Sequence, residues 1–531
     1  MTNQEISVLV VLILYMVSML TLGALFSRKK MSLNDYLLGG RQLNPWVSAM
    51  STQASDMSGW LLTGIPGLAY ASVNGAKEAI WTALGLLIGT VLNWLLVAKR
   101  LRVYSQVAGN SLTIPSYFEN RFKDKKGILR LVAAIVIFVF FTVYTASMFS
   151  AGAKLFSSIF PKLNYQAALF IGAAVIIIYT FLGGFLAVSW TDLFQGLLMF
   201  VALIIIPIVM SVKMPDGGSL EVADVFGKIS NILYEEVGAK PLTFGALGII
   251  SSLTWGLGYF GMPHILVRFM ATKDKKTIKS ATVIALIWVV ISMACALAIG
   301  IMAHGFDIKV NDNEQIMIAI ISKLFHPLIA GILLSAVLAA IMSTADSQLL
   351  VAASAFSNDI YKRHIRKNAS DKETLFVSRA TIIVISIIAL LIALDANSSI
   401  FKLVQYAWGG FGASFGPLMI FSLYSKKITL KGAIASIITG ALTTIIFKYG
   451  LANLGGAWAV YELLPGFILS SIVLWTVSLL DKKGVTPEIE HDYNKMLTIV
   501  KSKSDDLTLY DDEPSEGEAE AVLEENGNTA Q

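Results

Sequence analysis

Residues 55–67 read SDMSGWLLTGIPG, and this stretch decides the fold. It lies within an apolar segment long enough to cross a bilayer, yet Gly and Pro interrupt that segment and Asp56 puts a carboxylate inside it. A second interrupted segment reads WGLGYFGMP over residues 255–263. Both stretches predict membrane helices that unwind partway, freeing backbone groups that must then contact protein, water or a ligand. The alternative is that Gly and Pro only kink two packed helices.

The composition places the chain in the membrane. Of 531 residues, 55% are hydrophobic and 15% are charged, and the mean hydropathy is +0.69. Soluble domains carry about 25% charged residues, so the predicted class is an all-α polytopic membrane protein. Cys295 is the one cysteine and the five histidines are scattered, which excludes a disulfide framework and a zinc-binding pattern. The sequence also has no Walker A loop and no nucleophile–base pair that would indicate an enzyme.

Thirteen apolar segments are long enough to span the bilayer, and the ninth is predicted to continue as a helix past Ala353. With the N-terminus outside, 31 of the 41 Lys and Arg residues fall on the cytoplasmic side, as the positive-inside rule requires. We therefore predict a membrane domain over residues 1–484 without a signal peptide, followed by an acidic, disordered cytoplasmic tail over 485–531. The segments lie near residues 5–26, 46–72, 78–98, 131–150, 165–187, 192–212, 243–266, 281–303, 325–350, 377–394, 400–423, 430–449 and 458–480.

The interrupted segments are the second and the seventh of the thirteen. Many secondary transporters consist of inverted repeats whose first helices are unwound at the bilayer midplane. Because five is an odd number of membrane crossings, a repeat of five helices leaves the following copy in the opposite orientation. The spacing of the two interrupted segments therefore predicts repeats over roughly residues 46–212 and 243–423. In such helices the freed N–H groups suit a carboxylate and the freed carbonyls suit a small cation.

The ninth segment carries oxygen atoms that a small cation prefers. Residues 339–347 read AAIMSTADS, which places the hydroxyls of Ser343 and Thr344 side by side. Na⁺ is a hard cation and prefers oxygen ligands, so these hydroxyls could complete a shell with carbonyls from a nearby break. The alternative is ordinary hydrogen bonding between packed membrane helices.

Other polar and aromatic residues lie in or near the interrupted segments. A carboxylate at mid-membrane costs about 2.5–3.5 kcal/mol, so Asp56 must face a cavity, a cation or a partner. Trp255 and Tyr259 lie one turn apart and either pack together or cover a small substrate. Tyr144 is a weaker candidate of the same kind. Asp192 follows Ser-Trp-Thr at a predicted helix start, where capping is the simplest interpretation.

Six stretches, read together, resemble a known family. They are SDMSGWLLTGIPG from Ser55, LRVYSQVAGNSLTIPSYFENRF from Leu101, YTFLGGFLAVSWTD from Tyr179, WGLGYFGMPHILVRFMA from Trp255, AGILLSAVLAAIMST from Ala330 and YAWGGFGASFGP from Tyr406. The chain resembles the sodium/solute symporter family over about residues 5–480, and most closely its bacterial sodium/proline branch. The resemblance implies a five-plus-five inverted-repeat amino-acid-transporter (LeuT-like) fold with flanking helices, thirteen spans and an outside N-terminus.

The resemblance also implies the site residues. Sodium would be held between the first broken helix and the ninth segment, and Asp56 would couple sodium to uptake. The implied sodium ligands are the carbonyls of Ala54, Met57 and Ala340 and the hydroxyls of Ser343 and Thr344. The implied substrate-binding residues are Ser58, Gly59, Trp255, Tyr259, Pro263 and Tyr144.

Two positions depart from the proline branch: Met262 replaces a familiar Gln, and Asp346 replaces a familiar Ser. Ser343, Asp346 and Ser347 share one helix face, so Asp346 and Ser347 together with Asp192 could form a second sodium site or a gate. The alternative is that Asp346 faces the cytoplasmic vestibule or pairs with a Lys or Arg from a loop.

The implied function is import of L-proline by alternating access, driven by the sodium gradient across a bacterial cell membrane. Na⁺ is then the coupling ion, and no other cofactor is expected. The expected partners are L-proline, Na⁺ and membrane lipid, with no nucleic acid and no obligatory protein partner. A sodium symporter for pantothenate, a sugar or another organic acid stays open. A channel or a sensor is the alternative of a different class, but a sensor would need an output domain that the short tail does not provide.

Overall fold

The computed structural model describes residues 1–26, 33–182, 184–213, 227, 245–481, 483–502 and 504. Within these ranges the regular secondary structure is helical, apart from an isolated bridge between Leu43 and Thr272. The predicted acidic stretch 505–525 and the basic loop residues 28–30 lie outside the described residues. The α-helices are α1 (Asn3–Phe26), α2 (Leu33–Leu38), α3 (Pro45–Asp56), α4 (Ile65–Ala71), α5 (Val73–Leu92), α6 (Lys99–Val107), α7 (Ile114–Arg121), α8 (Ile128–Ile159), α9 (Tyr165–Leu182), α10 (Phe185–Val212), α11 (Gly245–Thr254), α12 (Pro263–Ala271), α13 (Lys275–Ala303), α14 (Ile316–Leu324), α15 (Pro327–Ser354), α16 (Asp371–Ile392), α17 (Ile400–Tyr424), α18 (Leu430–Tyr449), α19 (Leu463–Leu480) and α20 (Pro487–Lys501).

In the described part of the chain, nine helical stretches are long and apolar enough to cross a membrane. They are Asn3–Leu25, Val73–Val107, Ile128–Ile159, Phe185–Val212, Lys275–Ala303, Pro327–Ile365, Asp371–Ile392, Leu430–Leu454 and Leu463–Leu480. The other four predicted spans coincide with α9, α17 and the two interrupted helices, α3–α4 and α11–α12. The predicted boundary between the fifth and sixth spans is wrong, because α9 ends at Leu182 and α10 already begins at Phe185. The total of thirteen stays a prediction.

Helix α15 lies at the centre of the bundle. It packs against α1, α8 and α10, and nearly every residue from Ala330 to Ser354 is buried. A helix that is apolar on all sides is stable only when other helices surround it. The hydroxyls of Ser335, Ser347 and Ser354 donate to carbonyls four residues earlier, so they bring few unpaired polar groups into the core. The helix continues past Ala353, as predicted, through a π-helical stretch over Ala355–Ile365.

The first interruption lies between α3 and α4. Asn44 caps the start of α3 with its side chain, and the helix ends at Asp56. Met57 leaves the helical conformation, with φ −82° and ψ 80°. The chain then continues as a π-helical turn over Trp60–Gly64 before α4. Pro66 lies in the first turn of α4, where its missing N–H removes no helical hydrogen bond.

The second interruption lies between α11 and α12. A 3₁₀ stretch covers Trp255–Gly261, Met262 is extended, and Pro263 begins α12. Glycine is required here by close packing, because a Cβ at Gly256 would lie 2.2 Å from the Gly85 carbonyl oxygen of α5. The Gly and Pro signals in the sequence therefore mark both breaks.

The start of the predicted disordered tail is helical. Helix α20 covers Pro487–Lys501, and Thr486 caps it. Its buried residues recur with helical spacing, so one apolar face packs against α6 while polar residues face outward. These buried residues are Ile489, Tyr493, Met496 and Ile499. The acidic composition of the whole tail masked this short amphipathic segment in the sequence.

Candidate functional site: an oxygen cluster between two interrupted helices

Helix α15 places two hydroxyl groups against the last turn of α3. Ser343 Oγ donates to the Ala54 carbonyl oxygen at 2.7 Å and lies 3.4 Å from the Ala340 carbonyl oxygen. Thr344 Oγ1 lies 3.4 Å from the same Ala54 oxygen. All four residues are fully buried. We call these four oxygen atoms the oxygen cluster.

The break after α3 explains why the Ala54 carbonyl is available. In a continuous helix the N–H of Ser58 would donate to this carbonyl. Here the Ser58 N–H donates to the Asp56 carbonyl at 3.0 Å, so the Ala54 oxygen is left to the hydroxyls of α15. Met57, the fifth predicted sodium ligand, is buried at the break itself, three residues beyond Ala54. The donor set is oxygen alone and carries no formal charge, which fits a hard monovalent cation better than a transition metal.

Asp56 joins the two interruptions. Its Oδ2 accepts a hydrogen bond of 2.7 Å from the Tyr259 hydroxyl, and its backbone carbonyl accepts from Trp60 Nε1 at 2.8 Å. The side chain is fully buried, and Oδ1 has no hydrogen-bond partner among the described residues. One carboxylate oxygen is thus held by the second interruption while the other stays available to a ligand.

Aromatic rings line the second interruption. Trp408 Nε1 donates to the Trp255 carbonyl at 2.8 Å, and the Tyr259 ring meets the Trp408 ring edge-on with centroids 5.0 Å apart. The Trp255 ring lies 4.8 Å from Phe401 and 5.4 Å from Tyr461, centroid to centroid. The predicted pair Trp255 and Tyr259 is therefore part of a larger apolar wall that α17 completes.

The remaining predicted substrate residues border the same region. Ser58 and Gly59 are buried in the first interruption, where a Cβ at Gly59 would lie 3.1 Å from the Ala151 Cβ of α8. Tyr144, also on α8, is buried near Ser58, Trp60 and Asp56, and its hydroxyl makes no well-formed hydrogen bond in the described part of the chain. Pro263 begins α12 directly after the second interruption. The structure brings these residues together around the two breaks, and their contact with substrate stays a prediction.

A second polar group lies further along α12. Arg268 donates to Asp192 Oδ2 at 2.9 Å, to Ser51 Oγ at 2.7 Å and to Ser347 Oγ at 2.6 Å. Interpreting Asp192 as a helix cap is wrong, because α10 begins at Phe185 and Asp192 lies two turns inside it. Its carboxylate instead forms a buried ion pair with Arg268.

Asp346 does not face an open vestibule, because it is fully buried. Its Oδ1 lies 3.2 Å from the Ser347 hydroxyl, which already donates to the Ser343 carbonyl at 2.7 Å. Asp346 Oδ2 and Asp192 Oδ1 have no partner among the described residues. Among the described residues, Arg268 forms its ion pair with Asp192, and Asp346 has no basic group within 4.0 Å. Two buried carboxylates therefore share the neighbourhood of one guanidinium.

Sequence reasoning missed Arg268 and Trp408. The charge rule assigns Arg268 to a loop, although it follows the apolar run Ile-Leu-Val in PHILVRFMA and is almost fully buried. That run was the available signal. Trp408 was quoted only as part of a matching stretch, and its bond to Trp255 crosses 153 positions of the chain, which no local pattern reveals.

A polytopic helical bundle with two interrupted helices beside a buried oxygen cluster is the arrangement of a secondary transporter. The model of the sodium:solute symporter family matches residues 36–440, and the chain belongs to this family. It is 45% identical to the osmoregulated proline transporter OpuE of Bacillus subtilis over 90% of this chain and 96% of that protein. It is 46% identical to the sodium/proline symporter of Escherichia coli over 89% of this chain and 93% of that one.

Among solved structures, the chain is similar to a Na⁺-coupled sialic acid symporter in its substrate-bound, outward-open state. The TM-score is 0.73 at 21% identity, over 89% of this chain and 98% of that one. At this identity the likeness shows the fold alone.

Proposed function

We propose that the chain is a sodium-coupled importer of L-proline that works by alternating access. The observation that carries the proposal is the oxygen cluster, which places two hydroxyls of α15 on a carbonyl freed by the break in α3. Asp56, which accepts from Tyr259 of the second interruption, follows Ala54 by two residues. The names of the relatives at 45–46% identity over most of the chain supply the substrate. Family membership and the oxygen cluster together support Na⁺ as the coupling ion.

In this proposal the sodium ion is held by the carbonyls of Ala54, Met57 and Ala340 and the hydroxyls of Ser343 and Thr344. The hydroxyl protons rotate away from Ala54 so that the oxygen lone pairs face the ion. Sodium would then replace direct hydrogen bonds between α3 and α15 with ion–oxygen contacts. The ion thereby sets the distance between the unwound segment and the central helix.

Substrate would bind between the two interruptions, and Asp56 connects it with sodium. The carboxylate lies two residues beyond Ala54 in the chain and contacts Tyr259 of the aromatic wall. The rings of Trp255 and Tyr259 suit the compact apolar ring of proline, while Ser58, Gly59, Tyr144 and Pro263 border the remaining sides. Closure of this wall over the solute is the step that sodium binding favours.

The energetics suffice for concentrative uptake. Proline is a zwitterion, so one sodium per cycle moves one net positive charge inward, worth about 2.3 kcal/mol at 100 mV. A tenfold sodium gradient adds about 1.4 kcal/mol. The sum of about 3.7 kcal/mol supports roughly 500-fold accumulation.

The same proposal includes the finer architecture: thirteen spans, inverted repeats over residues 46–212 and 243–423, and a bacterial inner-membrane location with the N-terminus outside and the C-terminus cytoplasmic. The breaks at corresponding places in the two predicted repeats support it. The charge bias of the loops supports the orientation.

Uptake of labelled proline into proteoliposomes tests the function. We expect saturable uptake that requires an inward sodium gradient and that unlabelled proline abolishes. Unlabelled pantothenate, sugars and other amino acids, used as competitors, are expected to have little effect. Stronger competition by one of these solutes would reassign the substrate within the family, and non-saturating flux would indicate a channel.

Asp192, Asp346 and Ser347 are the proposed second sodium site or gate. Asp192 Oδ1 and Asp346 Oδ2 lack partners among the described residues, and Arg268 supplies one positive charge for two carboxylates. A second sodium ion or a proton would balance the negative charge of the second carboxylate. Reversal potentials in proteoliposomes measure the sodium-to-proline ratio. A ratio of two that falls to one in Asp346→Ser supports the second site, because two ions supply about 7.4 kcal/mol and allow accumulation on the order of 10⁵-fold. A ratio of one in both proteins contradicts it.

A further inference from the structure

His264, the second residue of α12, is a buried polar side chain that no step described so far uses. It is fully buried, and neither Nδ1 nor Nε2 has a hydrogen-bond partner among the described residues. The ring lies beside the backbone of Ser55, in the last turn of α3, and makes no well-formed hydrogen bond with it. Polar groups at membrane depth are normally paired or face a transport pathway. An imidazole with two free nitrogens at this place is therefore a candidate ligand-binding group.

Aromatic packing holds the imidazole ring in place without a polar bond. The Phe141 ring meets it edge-on with centroids 5.5 Å apart, and the Tyr144 ring does so at 6.3 Å. Tyr144 also lies near Ser58 and Asp56 at the first interruption, and its hydroxyl makes no well-formed hydrogen bond within the described residues. Three buried groups with unpaired polar atoms thus border the unwound segment: His264, Tyr144 and Asp56.

The charges around this segment are arranged as a dipole. Met262 caps the nine-residue helix α12 without a side-chain hydrogen bond, so the positive end of that helix lies at His264. This end favours an anion, and a neutral imidazole or a tyrosine hydroxyl can each donate one hydrogen bond to it. The free Oδ1 of Asp56 accepts only, so it favours a cationic group. A small zwitterion carries both charges within one molecule.

We propose that His264 is a substrate-binding residue that donates a hydrogen bond to the carboxylate of the transported solute while Asp56 faces its ammonium group. Tyr144, which packs against His264 and lies near Asp56, contacts the same carboxylate through its hydroxyl. The assignment rests on the proposed function, since it requires a solute with both groups. It makes His264 specificity-determining, because a solute without the carboxylate leaves the imidazole unpaired and is rejected.

Competition binding on the purified full-length protein tests the assignment. Labelled proline is displaced in saturating sodium by unlabelled proline or by prolinamide, in which a neutral amide replaces the carboxylate. The proteins compared are the wild type, His264→Leu, His264→Gln and the control His304→Gln, whose histidine stacks on Tyr70 at an exposed position.

We expect the wild type to bind proline far more tightly than prolinamide. His264→Leu should weaken proline binding roughly 10- to 100-fold and prolinamide binding several-fold less, because a hydrogen bond to a carboxylate is about twice as strong as one to the neutral amide oxygen. His264→Gln keeps a donor and should recover part of the loss, and the control should match the wild type. Equal weakening of both ligands would show a structural role and overturn the proposal, as would unchanged proline binding or a wild type that does not distinguish the two ligands.

Failure of the proposed function gives a different result. If the wild type takes up another carboxylic acid in place of proline, the acid-to-amide comparison with that solute decides the role of His264. If the solute carries no carboxylate, the proposal is overturned.

Discussion

The two interrupted helices are marked by the same residue types in the sequence and yet do different things in the structure. The first break exposes a carbonyl: the Ala54 oxygen loses its helical N–H and accepts hydrogen bonds from α15 instead. The second break is closed by packing, since Trp408 covers the Trp255 carbonyl at 2.8 Å and a Cβ at Gly258 would lie 1.8 Å from Trp408 Nε1. Glycine and proline thus determine where each helix is interrupted. The residues of the facing helix determine which groups surround the interruption.

The helix that faces each break accounts for the difference. Helix α15 presents hydroxyls to the first break, and these can serve either as hydrogen-bond donors or as ion ligands. Helix α17 presents Trp408, whose indole has one donor and no acceptor, so it satisfies one carbonyl and fills space. Tyr259 links the two regions through Asp56. The first break is therefore expected to respond to polar changes and the second to changes in volume.

The largest expected effect comes from added volume at the second break. Gly258→Ala would place a methyl group 1.8 Å from Trp408 Nε1, whereas the closest contact of Gly59→Ala at the first break would be the Ala151 Cβ at 3.1 Å. Overpacking costs about 1–3 kcal/mol or more when the neighbour cannot move, and the bond to the Trp255 carbonyl holds Trp408. We expect Gly258→Ala to lower the melting temperature and reduce proline uptake more than tenfold, and Gly59→Ala to do much less.

Fluorescence-monitored thermal unfolding of the purified variants measures this difference. Gly152→Ala on α8 is the control, because its Cβ would meet the Gly172 Cα at an ordinary 3.7 Å. Equal destabilisation by Gly258→Ala and Gly59→Ala would contradict the distinction between a packed and an open break.

The second-largest expected effect comes from removing hydroxyl groups at the first break. Ser343→Ala and Thr344→Ala each remove one oxygen from the oxygen cluster, and a missing partner in a dry site costs about 1–3 kcal/mol. The sodium concentration for half-maximal uptake should rise roughly 5- to 150-fold in each variant. Sodium-dependent uptake at saturating proline measures this change, and potassium should not substitute for sodium.

Ser335→Ala is the matched control for these variants. Ser335 is a buried serine on the same helix whose hydroxyl donates to the Gly331 carbonyl within α15. It should leave the sodium dependence within about twofold of wild type, because that hydrogen bond contributes only about 1 kcal/mol to folding. If Ser343→Ala and Thr344→Ala behave like Ser335→Ala, the two hydroxyls do not bind sodium.

The positions of both breaks follow from the sequence, because Gly, Pro and Asp56 within apolar segments contradict an ordinary membrane helix. The family also follows from the sequence through the matching stretches, and the family model confirms it. The hydroxyls Ser343 and Thr344 could be proposed from their residue type, but their distances to Ala54 depend on how α3 and α15 pack. The sequence holds no local signal for that packing.

Charged residues show most clearly which features cannot be predicted from the sequence. Arg268 lies near a predicted span end, so the charge rule assigns it to a loop, whereas the structure buries it against Asp192. The helical face shared by Ser343, Asp346 and Ser347 was predictable from their spacing. The partner of that face comes from α12, and such pairings between distant segments depend on tertiary packing.

The smallest expected effect comes from the contact that joins the two breaks. Tyr259→Phe removes the hydroxyl that donates to Asp56 Oδ2 and keeps the ring edge-on to Trp408. A hydrogen bond of this kind contributes about 1 kcal/mol where water or a ligand can replace it. We therefore expect the concentration for half-maximal uptake to rise roughly fivefold. The rise should appear for proline and for sodium alike, because Asp56 contacts the aromatic wall and follows Ala54 of the oxygen cluster by two residues.

Tyr461→Phe distinguishes this link from a general effect of losing a tyrosine hydroxyl. Tyr461 also packs against Trp255, but its hydroxyl donates to the Gln405 carbonyl, away from Asp56. Uptake measured over both sodium and proline concentrations should place Tyr461→Phe within about twofold of wild type, since the retained ring preserves the packing. A Tyr259→Phe variant that changes only the proline dependence would show that Tyr259 acts within the aromatic wall alone. The two breaks would then have to communicate through α15 and the sodium ion, without the Asp56 hydrogen bond.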